Sequence, residues 1–122
     1  MHKTGTSISC MDGRVQEPIR KWLGAQFGID YVDTITLPGV DKVVSENADI
    51  DQVREMAALS VRAHSSPVIV VSGHHDCAGN PVPKEKHVEH IRKSADVIKS
   101  WELGVDVFGV WVNSDWQIEK VV

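Results

Sequence analysis

One short segment in the middle of the chain is almost entirely apolar, and it constrains the fold more than any other. Residues 67–71 read Pro-Val-Ile-Val-Val, without a polar side chain to face solvent. Unbroken runs of β-branched residues are typical of central strands in a parallel sheet, because helices cover such strands on both faces. We therefore predict an α/β protein in which this segment is a central strand.

The segments on either side alternate between strand-like and helix-like patterns. Further strand-like runs occupy residues 6–11, 31–37, 105–112 and 116–122. Apolar residues with helical periodicity lie between them. The inward faces are expected to carry Val15, Ile19, Trp22, Leu23 and Phe27 in the first helix, Val53, Met56, Ala57 and Val61 in the second, and Val88, Ile91, Ala95 and Ile98 in the third. We expect Asn47 or Asp49 to cap the second helix.

The resulting order, β-α-β-α-β-α-β-β, predicts a three-layer α/β/α architecture formed by a single domain of residues 1–122. Right-handed crossovers favour the strand order 2-1-3-4, with the last strand antiparallel at the edge beside the fourth. In such sheets ligands bind at the carboxyl ends of the strands, where the strand order reverses. That point lies between the first and third strands.

Charge and hydropathy exclude several classes of partner. With 13 basic and 17 acidic residues, the net charge is 13 − 17 = −4, so we expect neither nucleic acid nor a membrane surface as a partner. No apolar stretch reaches the roughly 18 residues that span a bilayer. The first five residues lack the apolar core of a signal peptide, so we expect a cytoplasmic protein without a structural disulfide.

Both cysteines of the chain follow predicted strands at the point where the strand order reverses. Cys10 follows the first strand, and His74 and Cys77 follow the third. Two sulfur ligands and one imidazole suit a catalytic zinc site, which keeps one position open. The two residues between His74 and Cys77 allow a turn to point both side chains at one ion. His75 is the alternative ligand to His74, and Asp76 also competes.

Several alternatives to a catalytic zinc site apply to the same two cysteines. Taken singly, each cysteine reads as a small buried apolar residue. A thiol phosphatase would need an arginine six positions after Cys10, where Gln16 stands, and a glycine-rich phosphate cradle. A thiol–disulfide redox protein would be expected to carry Cys-x-x-Cys, which is absent here. A zinc-stabilised binding module is the non-enzymatic alternative.

Asp12 and Arg14 form a second chemical pair beside Cys10. Alternate residues leaving a strand can turn toward one cavity, where an arginine partner keeps a carboxylate ionised and oriented. Asp12 would then accept a hydrogen bond from a metal-bound water. The pair also fits a salt bridge at the start of the first helix. His87 and His90, three residues apart on a helix, face one side and offer a second set of metal ligands; because they lie among lysines and glutamates, they are interpreted instead as part of a solvated helix face.

Together, Cys10-x-Asp12-x-Arg14 and the later His74-x-x-Cys77 resemble the signature of the β-class carbonic anhydrases. The resemblance extends over essentially the whole chain. It implies Zn²⁺ on Cys10, His74 and Cys77, with Asp12 and Arg14 as the catalytic dyad. The implied activity is that of a lyase: reversible hydration of carbon dioxide to bicarbonate by a zinc-bound hydroxide.

The resemblance leaves three features of the protein open. Either water or Asp12 is the fourth zinc ligand, and the site is inactive when Asp12 binds the metal. A divergent zinc protein of the same fold without hydratase activity, or a hydrolase of another small electrophile, remains an alternative. We expect a homodimer or a higher homo-oligomer, because Trp101 and Trp116 suggest apolar helix and edge-strand surfaces.

Overall fold

The computed structural model describes residues 2–122. Its strands are β1 (Thr4–Ser9), β2 (Tyr31–Thr36), β3 (Val68–His74), β4 (Asp106–Val112) and β5 (Ile118–Lys120). Its helices are α1 (Gln16–Phe27), which follows a 3₁₀ turn at Gly13–Val15, α2 (Val40–Glu46), α3 (Asp51–His64) and α4 (Lys84–Ser100). Among the helices of residues 2–122, none is both long and apolar enough to cross a membrane.

The five strands form one sheet in the order β2-β1-β3-β4-β5. Strand β1 pairs in parallel with both β2 and β3, β3 pairs in parallel with β4, and β5 is antiparallel to β4. The predicted order and the antiparallel edge strand are therefore confirmed. Because β1 and β3 are parallel neighbours, their carboxyl ends lie at the same edge of the sheet.

Strand β3 contributes to the packing on both faces of the sheet. All of its residues are buried. Ile69 and Val71 pack on the face that α2, α3 and α4 cover, whereas Val68 and Val70 pack on the face that α1 covers. Alternate side chains of a strand point to opposite faces, so an unbroken apolar run requires helices on both. The three-layer α/β/α prediction is confirmed.

The segment between β2 and α3 differs from the prediction. The short helix α2 was not predicted, and Asn47 ends it with a left-handed backbone (φ 52°). Helix α3 begins after Ile50 without a side-chain cap, so neither Asn47 nor Asp49 caps it. Met56 is 39% exposed, because the buried stripe of α3 runs through other positions. These buried positions are Val53, Ala57 and Ser60.

Candidate metal centre

Three potential metal ligands converge at the shared end of β1 and β3. Cys10 follows β1 directly, His74 is the last residue of β3, and Cys77 lies in the loop that leads to α4. One ligand atom from each lies within 4.8 Å of the other two, and all three residues are buried. The sulfurs of Cys10 and Cys77 are 4.0 Å apart. The parallel pairing of β1 and β3 explains the convergence, since it brings residues that are distant in the sequence to one point.

The imidazole of His74 is oriented with one nitrogen free. Its Nδ1 lies 2.7 Å from the backbone carbonyl of His75. A carbonyl only accepts, so Nδ1 carries the hydrogen and Nε2 keeps its lone pair. Nε2 is buried and has no hydrogen-bond partner within residues 2–122. An imidazole fixed through one nitrogen with the other free is the arrangement that metal-binding histidines adopt.

The two sulfurs complete a donor set that fits zinc. The backbone N–H of Gly39 donates to Cys10 Sγ at 3.5 Å. Burial and the adjacent sulfur of Cys10 raise the pKa of the Cys77 thiol above its ordinary value. A cation that binds between the sulfurs must therefore displace a proton from Cys77, as is usual when thiols bind metals. Two sulfurs with one imidazole nitrogen are ligands that zinc prefers.

A close contact between two glycines joins the loops after β2 and β3. Gly39 has a left-handed backbone (φ +56°), and a Cβ there would lie 2.5 Å from the carbonyl oxygen of Gly79. A Cβ on Gly79 would lie 2.6 Å from the nitrogen of Gly39. Only two residues without Cβ atoms allow this approach. The contact brings the amide of Gly39 to Cys10 Sγ and supports the loop that contains Cys77.

Asp12 and Arg14 form the bidentate ion pair that their spacing predicted. Arg14 Nη2 donates to Asp12 Oδ2 at 2.7 Å, and Arg14 Nε donates to Oδ1 at 3.1 Å. Asp12 also accepts from the backbone N–H of Arg14 and thereby caps the 3₁₀ turn, so the helix-start role coexists with the pairing. The hydrogen bonds from Arg14 lower the pKa of Asp12 to about 2. Asp12 Oδ2 lies 4.0 Å from His74 Nε2, beside the three donors.

Two further residues hold the guanidinium of Arg14, and sequence reasoning assigned this role to neither. Arg14 Nη1 donates to Asp76 Oδ2 at 3.2 Å, and Nη2 donates to the carbonyl of Asp76 at 3.2 Å. The guanidinium carbon lies 4.6 Å from the ring centroid of Trp116. The sequence suggested Asp76 only as a competing ligand. Trp116 comes from the turn before β5, and no local pattern links it to Arg14.

The remaining histidines near the centre have different surroundings. His75, the alternative ligand, is exposed, and its ring centroid lies 6.4 Å from that of Trp116. The prediction of a solvated face was wrong for His87, which is 1% exposed. Its Nδ1 lies 2.6 Å from Oδ2 of the buried Asp41. The buried carboxylate satisfies the imidazole away from water, and this pairing across 46 residues has no local signature in the sequence.

Comparisons with solved structures identify the fold. A carbonic anhydrase from Streptococcus mutans aligns with a TM-score of 0.68 at 20% identity, covering 99% of this chain and 83% of that one. Isoform I of the β-carbonic anhydrase from Trichomonas vaginalis aligns with a TM-score of 0.66 at 12% identity, covering 96% and 81%. One of two tetrameric β-carbonic anhydrases from Sordaria macrospora aligns with a TM-score of 0.51 at 17% identity, covering 98% and 81%.

These identities are low, so the structural matches show a shared fold alone. No curated protein matches the sequence. The sequence itself matches a family model described as "Putative carbonic anhydrase" over residues 1–122. Since this match covers the entire sequence, the chain belongs to that carbonic anhydrase family.

Proposed function

We propose that the protein is a zinc-dependent carbonic anhydrase-like lyase that reversibly hydrates carbon dioxide to bicarbonate. The observation that carries the proposal is the buried cluster of Cys10, His74 and Cys77, in which His74 Nε2 has no partner within residues 2–122. These three side chains would hold the ion. When bound, zinc supplies the Lewis acidity that activates water near neutral pH.

The proposed role of Asp12 is to accept a hydrogen bond beside the metal ligands. Its low pKa keeps it ionised throughout the neutral range, so Oδ2 acts as an acceptor and not as a proton donor. Arg14 holds the carboxylate through both of its oxygens. Asp76 and Trp116 hold Arg14 from its other sides. These contacts support a fixed orientation of Asp12 toward a polar group bound at the cluster.

The test combines metal analysis with a hydration assay. Protein purified with zinc should contain about one equivalent, and stopped-flow measurements should show carbon dioxide hydration above the uncatalysed rate. Cys77→Ser should lose the metal, whereas Asp12→Asn should keep zinc and lose about 10² in kcat or more. His75→Gln is the control for an exposed neighbour and should keep both properties.

Three results would contradict parts of this proposal. Full zinc occupancy in Cys77→Ser would remove Cys77 from the ligand set. A zinc-loaded wild-type protein with only the background hydration rate would leave a zinc protein of this fold without hydratase activity. If that protein instead hydrolysed small activated esters, it would be a hydrolase of another electrophile.

We also propose that the chain forms a homodimer or a higher homo-oligomer. The Sordaria macrospora relatives are tetrameric, and Tyr31, Met56 and Leu59 are large apolar side chains with exposed surface. Trp101 does not support this proposal, because it is buried in the core. Light scattering coupled to gel filtration should give at least twice the 13.5 kDa mass of the chain, and a monomeric mass would contradict the proposal.

The expected cytoplasmic location remains a proposal as well. A centre with two reduced thiols is suited to a reducing compartment, where such groups persist. Fractionation of the source cells with an antibody to this chain tests it. Recovery of the protein from a membrane or secreted fraction would contradict it.

A further inference from the structure

A buried polar cluster lies behind the metal centre and has no part in the chemistry proposed above. We call Asp41, Asn80 and His87 the Asp41 cluster. Each of the three is 1% exposed. Asp41 Oδ2 accepts from His87 Nδ1 at 2.6 Å, and Asp41 Oδ1 accepts from Asn80 Nδ2 at 3.2 Å. The cluster joins three segments: helix α2, helix α4 and the loop after β3.

A gain in folding stability does not readily explain why a carboxylate is buried in this cluster. Burying a carboxylate costs several kcal/mol of hydration, and apolar residues of similar size would stabilise the same space about as well or better. The cluster is also tightly enclosed, since the ring of Trp111 lies 5.1 Å from that of His87. Ser94 Oγ donates to the backbone carbonyl of Asp41 at 2.7 Å and anchors α2 to α4 without using the carboxylate. Joining α2 to α4 therefore does not by itself explain the carboxylate.

The Asp41 cluster touches the backbone next to two of the three metal ligands. A Cβ on Gly73, the residue before His74, would lie 2.6 Å from Asp41 Oδ2 and 3.1 Å from His87 Nδ1. The backbone N–H of Asn80 donates to the carbonyl of Cys77 at 3.3 Å. The same three side chains thus pack against the strand end that carries His74 and hold the loop that carries Cys77.

We propose that the Asp41 cluster positions Cys77 relative to His74 and thereby sets the affinity of the centre for its metal. The proposal rests on the metal-binding part of the function proposed above. Asp41, Asn80 and His87 are positioning residues, because none of them belongs to the ligand set. Without the bond from Asn80 to Asp41, the loop of residues 75–83 loses its only side-chain hydrogen bond to α2 within residues 2–122.

The donor and acceptor pattern of the cluster suggests a specific rescue. Each carboxylate oxygen of Asp41 accepts a hydrogen bond from one donor. In Asp41→Asn one oxygen becomes an NH₂ group, which faces the NH₂ group of Asn80 and cannot bond to it. Adding Asn80→Asp exchanges donor and acceptor between positions 41 and 80, so that a hydrogen bond can form there again. The amide at position 41 then donates to the carboxylate at position 80, while its oxygen still accepts from His87. Asn80 Nδ2 also lies 3.0 Å from His90 Nδ1, so the new carboxylate oxygen accepts there from the imidazole tautomer that carries its hydrogen on Nδ1. The double variant therefore restores the link between α2 and the loop.

The experiment measures the zinc dissociation constant of metal-free protein by competition with a chromophoric chelator. Asp41→Asn should weaken zinc binding by about tenfold or more, and Asp41→Asn/Asn80→Asp should return to within about threefold of wild type. The Co²⁺ form gives a second readout, since the visible bands should change in the single variant and return in the double variant.

Two matched controls separate positioning from general stability. Ser94→Ala removes a buried hydrogen bond at the same helix interface but spares the carboxylate. Asp33→Asn alters the other Asp–His pair of this length, since His64 Nδ1 lies 2.6 Å from Asp33 Oδ2 on the α3 side of the sheet. Both should bind zinc within about threefold of wild type, whatever their effect on unfolding.

The outcomes distinguish this inference from the proposed function. A wild-type protein that binds no zinc would overturn the proposed function and the inference with it. A wild-type protein that binds zinc, with an Asp41→Asn variant of equal affinity or a double variant that recovers nothing, would overturn the inference alone. Should Asp41→Asn fail to fold, Asn80→Ala makes the same test, and unchanged zinc affinity in that variant would overturn the inference.

Discussion

Gly39→Ala tests how strongly the contact between the two loops determines the metal centre. An alanine at the left-handed φ of +56° costs about 1–2 kcal/mol, and the lower entropy of the unfolded chain returns about 0.4–1 kcal/mol. Its Cβ would lie 2.5 Å from the backbone oxygen of Gly79. No rotamer relieves a clash with backbone, so overpacking adds about 1–3 kcal/mol. We expect a total loss of about 1–5 kcal/mol in unfolding free energy, with a central value of about 3 kcal/mol.

Gly28→Ala is the matched control for this variant. Gly28 also has a left-handed backbone (φ +66°), but a Cβ there would meet no atom within 4 Å. It should lose only about 1 kcal/mol in urea unfolding of the metal-free protein. Gly39→Ala should also bind zinc more weakly, because the displaced amide donates to Cys10 Sγ. Equal losses of stability in the two variants, with equal zinc affinity, would refute the reasoning.

Three further predictions follow from the packing and the surface pairs. Trp116→Ala removes the ring above Arg14, a contact worth about 0.5–1 kcal/mol, and should lower kcat/KM severalfold in stopped-flow assays while zinc content stays unchanged. Hydrogen bonds from Asn113 and Lys84 lower the pKa of Glu119. The ionised Glu119 side chain therefore stabilises the fold above the ordinary pKa of 4.5, and this contribution is lost as the pH falls through the lowered pKa. Glu119→Gln should accordingly flatten the acid limb of a stability–pH curve. Ile8→Ala creates a cavity in the central sheet and should cost about 2–5 kcal/mol in urea unfolding, whereas Met56→Ala at a 39% exposed position should cost less than about 1 kcal/mol.

The strand order was predictable because each step rests on a local pattern. The apolar run that became β3 required covered faces, and right-handed crossovers then left few arrangements for its neighbours. Helix α2 escaped prediction because it has only seven residues and begins after Gly39 without a side-chain cap. Its buried residues are Val40, Asp41, Val44 and Ser45, of which only two are apolar, so they are too few to establish a helical period in the sequence.

The residues of the candidate site were also predictable only in part. Cys10, His74 and Cys77 were found because strand ends indicate their meeting, and Asp12 with Arg14 because they lie two residues apart. Asp41 and His87 were missed because no local sequence pattern distinguishes either residue. Their pairing depends on the packing of α2 against α4. Contacts between distant side chains of this kind have no sequence period to reveal them.

The placement of the three donors bears on how an ion would leave the protein. Cys10 directly follows β1 and His74 ends β3, both in the middle of the sheet, whereas Cys77 lies in a loop without regular structure. Local opening of a surface loop requires less free energy than unfolding of a fully buried strand. Release of the ion should therefore begin at Cys77, at a rate independent of global unfolding. Amide hydrogens of β3 should stay protected from exchange with solvent while zinc is replaced many times.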